Sequence, residues 1–278
     1  MKVAYCILCH RNTNILQFLV EILGVNNDVY MHIDKKADIN DFSEYAGVNF
    51  INDREDIRWG AFSMVKATLK LLEATCIKPY DYIFLISGDD LPLKSDEHIK
   101  NFLAKHHGKE FIGVTKDINV DERLKYIHAE GLYTKNKSLL NKLIYKLKLL
   151  KKNPYFNTLP KLYKGSQWFT ITSDLRDYIL QYVGKNEEYA RAFEHSMISD
   201  EVFFQTIVCN NEKFKGRIYG INDNMHDTRM AMRYMDWTNG LKVLDEADYA
   251  EMKASGCLFA REMSENIDVR IFKRVFYL

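Results

Sequence analysis

The sequence predicts an α/β fold: a central, mostly parallel sheet with helices on its faces. Three observations carry that expectation. Runs rich in apolar, β-branched and aromatic residues recur in the first third, namely Val3-Ala4-Tyr5-Cys6-Ile7-Leu8, Asp28-Val29-Tyr30-Met31-His32-Ile33 and Tyr82-Ile83-Phe84-Leu85-Ile86. Near-continuous runs of this kind suit strands covered on both faces. Helical patterns separate them near 13–24 and 63–75, and strands alternating with helices wind into a parallel sheet. The 278 residues are 47% hydrophobic, enough for one large core or two coupled lobes.

Each element has a local reason. The strand 3–9 is followed by a helix with Thr13 or Asn14 as N-cap and Gly24 near its end. The second strand ends in Asp34-Lys35-Lys36, and a short third strand covers 48–51. An amphipathic helix over 63–75 leads to the strand at 82–86. That strand runs into Ser87-Gly88-Asp89-Asp90-Leu91-Pro92-Leu93, where Gly88 breaks the pattern and Pro92 prevents continuation. Two carboxylates thus sit at the C-terminal end of a strand, where open α/β sheets bind ligands.

The middle of the chain changes character. From Lys135 to Lys164 there are nine lysines and no acid, with leucines and Ile144 at helical spacing. This is a basic amphipathic helix over 135–152. Its lysines either face solvent or contact an anionic membrane surface, where each is favourable by about 1 kcal/mol. The segment Lys164-Gly165-Ser166-Gln167-Trp168-Phe169-Thr170-Ile171-Thr172 turns into a strand, and a helix follows with Ser173 or Asp174 as N-cap. In Ile198-Ser199-Asp200-Glu201, Ser199 or Asp200 is expected to cap a further helix with Glu201 in its first turn.

Composition excludes several classes. The net charge of +1 provides no global pull toward nucleic acid. No apolar window reaches about 18 residues, so no membrane span is expected. The N-terminus enters a core strand without a cleavable leader pattern, which leads to the expectation of a cytoplasmic protein, peripheral at the inner face of the membrane if the basic helix docks there. The chain has no G-x-G-x-x-G and no Walker loop, which disfavours dinucleotide and P-loop sites. Five cysteines are an odd number without disulfide-framework spacing. Cys6-Ile7-Leu8-Cys9-His10 resembles a haem attachment motif, but residues three apart in a strand point to opposite faces, so packing of the thiols in the core is expected instead.

Several segments, taken in order, resemble the Core-2/I-branching enzyme family, glycosyltransferase family 14, which includes β-1,6-N-acetylglucosaminyltransferases and peptide O-xylosyltransferases. They are His32-Ile33-Asp34-Lys35-Lys36, Arg58-Trp59-Gly60, Ser87 to Leu93, Gly165-Ser166-Gln167-Trp168-Phe169, Ser199-Asp200-Glu201, Arg233-Tyr234-Met235-Asp236-Trp237 and Leu258-Phe259-Ala260-Arg261. The short N-terminus is similar to bacterial members. The resemblance implies a GT-A-like nucleotide-sugar-binding fold and a single glycosyltransferase domain over 1–278. Its nucleotide-binding half would be 1–115, and its acceptor and catalytic half 116–278.

The resemblance also implies an inverting transferase that moves GlcNAc or xylose from a UDP-sugar to a hydroxyl of a glycan or lipid-linked oligosaccharide. Basic side chains would stand in place of a divalent metal, so no cofactor is expected. Inverting transfer needs one general base, and the family's Glu maps to Glu201. Arg233 and Arg261 match the family's phosphate-binding positions, with Arg229 or Lys273 as possible helpers. Glu262 stands where the family has Lys, which would repel a diphosphate. Asp34, Cys9 and His10 would lie near the nucleoside, and Asp90 near the sugar or organising its loop. Ser166, Gln167, Trp168 and Asp200 would lie near the acceptor, with Trp237 a further stacking candidate. Two alternatives remain: a Mn²⁺- or Mg²⁺-dependent enzyme using Asp89-Asp90, because adjacent carboxylates can hold a hard cation, and a non-catalytic glycan- or lipid-binding homologue, favoured by Glu262.

Overall fold

A computed structural model of the chain describes residues 1–128, 150–238 and 240–277. Seven consecutive buried residues make β1 (Val3–Cys9) the inner strand of a six-stranded sheet. Its neighbours are β2 (Asp28–Ile33) and β4 (Tyr82–Ser87), both parallel to it; β3 (Asn49–Phe50) extends the β2 edge in parallel. On the other side β7 (Phe169–Thr172) pairs antiparallel with β4, and β6 (Phe111–Ile112) antiparallel with β7. The order is β3-β2-β1-β4-β7-β6. The sheet is therefore mostly parallel, as expected, with β7 the single reversed strand.

Side chains alternate along a strand, so β1 feeds two cores. Val3, Tyr5, Ile7 and Cys9 enter one, with α1 (Asn14–Gly24) and the C-terminal helix Val269–Tyr277. Ala4, Cys6 and Leu8 enter the other, with α2 (Phe62–Ala74) and the helices Ser173–Lys185 and Phe203–Cys209. Cys6 and Cys9 thus lie on opposite faces, both buried and free. Thr13 caps α1, accepting from the Leu16 N–H. The cap of the helix Ser173–Lys185 is Thr172, one residue before the expected position: its hydroxyl already sits at the strand end and accepts from the Leu175 N–H at 3.2 Å.

A second sheet was not legible in the sequence. β5 (Leu91–Pro92), β8 (Arg233–Tyr234) and β9 (Phe259–Ala260) form a three-stranded sheet in the order β5-β9-β8. Each strand is two residues long, too short for a periodic signal. The sheet brings three distant segments together beside the end of β4. The basic helix expected over 135–152 falls mostly on residues outside those described. Among the described residues no helix is long and apolar enough to cross a membrane.

Candidate active site

A cleft of about 1000 Å³ opens at the C-terminal ends of β1, β2 and β4. Its lining includes Cys9, His10, Asp34, Ser87 and Asp89 near the strand ends, together with Ser166, Gln167, Trp168, Asp200, Glu201, Arg261 and Glu262. The strand ends are tied together, since the Asp34 N–H donates to the Cys9 carbonyl at 2.8 Å and the Gly88 N–H to the Leu8 carbonyl at 3.0 Å. Asp34 is buried; it accepts from the Lys36 N–H at 3.0 Å and pairs with the Lys36 ammonium at 2.9 Å.

Glu201 is half-buried, and its Oε2 pairs with Arg123 Nη1 at 3.0 Å and Lys164 Nζ at 3.3 Å. Its setting differs from the expected helix start. Ser199–Glu201 form a short 3₁₀ turn, and the helix Phe203–Cys209 follows with Val202 as N-cap and no side-chain cap bond. Two cations, rather than helix N–H groups, therefore hold the Glu201 carboxylate. Asp200 does not cap a helix: it is buried at 7% exposure and lines the cleft. Burial, reinforced by the adjacent Glu201 charge, pushes its carboxyl up to about 7. The turn is entered through Ile198, whose φ of 51° is a left-handed conformation that a β-branched residue rarely takes. Its N–H donates to the Gly60 carbonyl at 2.8 Å, so the Arg58-Trp59-Gly60 loop clamps the strained entry.

Arg261 reaches the cleft from the end of β9. Its guanidinium stacks on the Trp168 ring at 4.3 Å, pairs with Asp90 at 3.0 Å and donates to the Ser87 hydroxyl. Nη1 makes the polar bonds; Nε and Nη2 have no partner among the described residues. Asp90 is fully buried and is not among the residues that line the cleft, so of its two expected places the one at the sugar is corrected and the one organising the loop fits. It accepts from Ser87 at 2.6 Å and holds Arg261. Asp89 alone lines the cleft, its carboxyl pushed up by burial against the pull of Arg261. Of the two adjacent carboxylates, Asp89 lines the cleft and Asp90 pairs with Arg261 instead.

Arg233 also needs correction. It is fully buried, between the Phe259 and Phe84 rings at 4.8 and 5.6 Å, and donates to the Ala231 carbonyl at 3.2 Å. Burial pulls its guanidinium down to about 10, against the opposing pull of Asp90. It is not among the residues that line the cleft. Arg229 donates to the Ser255 carbonyl and Cys257 Sγ and lies outside the cleft lining, as does Lys273.

The Core-2/I-branching enzyme family profile matches residues 3–267. This chain belongs to that family. It is 26% identical over 190 residues to a human N-acetyllactosaminide β-1,6-N-acetylglucosaminyl-transferase, an alignment covering 64% of this chain and 45% of that protein. It is 23% identical over 207 residues to a xylosyltransferase of Caenorhabditis briggsae, covering 70% of this chain and 24% of the relative. A mouse N-acetyllactosaminide β-1,6-N-acetylglucosaminyl-transferase is 23% identical over 91% of this chain and 60% of its own length. The chain thus spans less than two thirds of each of these relatives. A solved glucose-1-phosphate thymidylyltransferase from Bacillus anthracis aligns with 66% of this chain and 78% of its own at 12% identity, with a TM-score of 0.34 that is too low to bear on the fold.

Within this member of the Core-2/I-branching family, most of the family-like segments border one cleft. The cleft also contains residues that sequence reasoning did not assign. Arg123 lies in the five-residue helix Asp121–Lys125, and Lys164 ends a lysine run read only as a surface. Nothing in their local sequence marks them as partners of Glu201, 78 and 37 positions away respectively. Trp59 and Trp237 stand at the cleft, 63% and 52% exposed. Exposed tryptophans of this kind suit stacking against an apolar sugar or base face.

Proposed function

We propose that this protein is an inverting, metal-independent glycosyltransferase that moves GlcNAc or xylose from a UDP-sugar to a hydroxyl of a glycan acceptor. The convergence of Glu201, Asp34 and Arg261 on one cleft carries the reading. The acceptor oxygen attacks the anomeric carbon opposite the leaving group, and the Glu201 carboxylate takes its proton. The bond from that carbon to the UDP oxygen breaks, and its electron pair leaves with UDP. Arg261, whose Nε and Nη2 have no partner among the described residues, balances the charge that develops on the diphosphate. Asp34, wedged between the ends of β1 and β2, is positioned to accept from the nucleoside. Glu262, beside Arg261, weakens that field, and the Asp90–Arg261 pair fixes the guanidinium's direction.

The names of the relatives support a glycosyltransferase acting with GlcNAc or xylose. Calorimetric titration of UDP in EDTA, repeated with Mn²⁺, tests the donor site. Binding in EDTA supports the metal-independent reading; binding only with Mn²⁺ moves the diphosphate to Asp89, and silence in both favours a non-catalytic homologue.

A further inference from the structure

We propose that Arg11 is a second cation of the donor site, holding the diphosphate of the nucleotide-sugar together with Arg261. The inference rests on the glycosyl-transfer reading and deepens it, by a residue that neither the local sequence nor the family resemblance singles out.

The charges around Arg261 call for such a partner. Arg261 is already paired with buried Asp90. Asp89 and Glu262 both line the cleft, and the Met263 N–H donates to the Asp89 carbonyl at 2.9 Å, which ties the Glu262 segment to the Asp89 turn. A diphosphate arriving here meets two carboxylates, and one guanidinium offset by Asp90 does not outweigh them. The remaining cations of the described lining are committed elsewhere. Lys36 bonds Asp34, Asp56 and the Ile57 carbonyl, while Arg123 and Lys164 hold Glu201.

Arg11 stands differently. It directly follows two lining residues, Cys9 and His10, at the end of β1. Its Nη2 lies 3.9 Å from Asp89 Oδ1, its Nε donates to His10 Nε2 at 3.1 Å, and its Nη1 pairs with Glu265. Arg11 thus touches two lining residues without lining the cleft itself. The turn it meets at Asp89 is the one Arg261 meets at Ser87 and Asp90. Its present ion pairs are weak ones: the Asp89 contact is long, and Arg11 and Glu265 are both largely exposed. A phosphate oxygen offers a guanidinium a stronger, charge-assisted bond. Exchange of Asp89 for the diphosphate therefore places two arginines, from the ends of β1 and β9, on one anion.

Calorimetric titration of UDP and UMP in EDTA, with uridine followed by displacement of UDP, tests this on the whole chain. Arg11→Gln should weaken UDP about 10-fold or more and leave uridine unchanged. UMP, with one phosphate, should lose less. Arg11→Lys keeps the charge but not the fork and should lose less than Arg11→Gln. Glu265→Gln separates binding from scaffolding: it breaks the Arg11–Glu265 pair and spares the cation, so UDP affinity should not fall. Unchanged UDP affinity in Arg11→Gln overturns the proposal. An equal loss for UDP and uridine also overturns it, as does a loss in Glu265→Gln that matches Arg11→Gln, because Arg11 would then act by holding the segment after β9. If Arg11→Gln leaves UDP binding intact while Arg261→Ala weakens it, this proposal alone falls and the donor reading stands. Failure of the wild-type protein to bind UDP sinks both.

Discussion

Gly165→Ala tests whether the catalytic turn is held by the backbone behind it. An added methyl at Gly165 would overlap the Gly113 carbonyl, approaching its carbon to 2.5 Å. Restoring an ordinary 3.4 Å contact to that carbon needs about 0.9 Å of movement, and the oxygen demands more. The obstacle is backbone, so no side chain can swing aside. The strain passes directly to the site: the Gly165 N–H bonds the Glu201 carbonyl at 2.9 Å, and the preceding Lys164 carbonyl accepts from the Thr115 N–H at 2.7 Å. A misplacement near 1 Å costs about 100-fold in rate when geometry carries catalysis, and such overpacking destabilises by about 1–3 kcal/mol. Turnover with donor and acceptor should fall about 100-fold while UDP affinity by calorimetry stays near normal. Gly184→Ala is the control, because its added methyl meets nothing within 4 Å and its helix should gain about 0.5–1 kcal/mol. If Gly165→Ala keeps full turnover with an unchanged melting temperature, the coupling of Gly165 to Glu201 is wrong.

Other substitutions address single roles. Glu201→Gln should lower turnover about 100-fold or more and leave UDP binding intact; retained turnover would remove Glu201 from the base role. Arg261→Ala should weaken UDP binding about 10- to 100-fold, and it should also lower the melting temperature because it leaves buried Asp90 without its cation. Unaltered UDP affinity would move the diphosphate elsewhere. Glu110 is fully buried, accepts from the Thr172 N–H and hydroxyl, and burial pushes its carboxyl from 4.5 up to about 7. Its folded pKa lies above its unfolded one, so its contribution is full below about pH 4.5 and is lost as pH rises through about 7. The melting temperature of Glu110→Gln relative to wild type should therefore climb between pH 4.5 and 7, and a flat difference would refute that titration.

Local sequence determined the parts of this protein that depend on neighbouring residues. The apolar runs at 3–9, 28–33 and 82–86 could be strands only if covered on both faces, and Thr13 could serve the first helix because capping is a matter of a few residues. The ordered family-like segments likewise placed the chain in its family and Glu201, Asp34 and Arg261 among the site candidates. Tertiary structure decided what depends on residues far apart in sequence. Two similar arginines received opposite fates: Arg233 is enclosed by Phe84 and Phe259, whereas Arg261 emerges over Trp168. Adjacent Asp89 and Asp90 likewise differ, one lining the cleft and one pairing with Arg261. The cations that hold Glu201 come from Arg123 and Lys164, brought close only when the segments around β6 and β7 fold against the 3₁₀ turn. Burial and charge pairing are sums over such neighbours, and no local pattern encodes them.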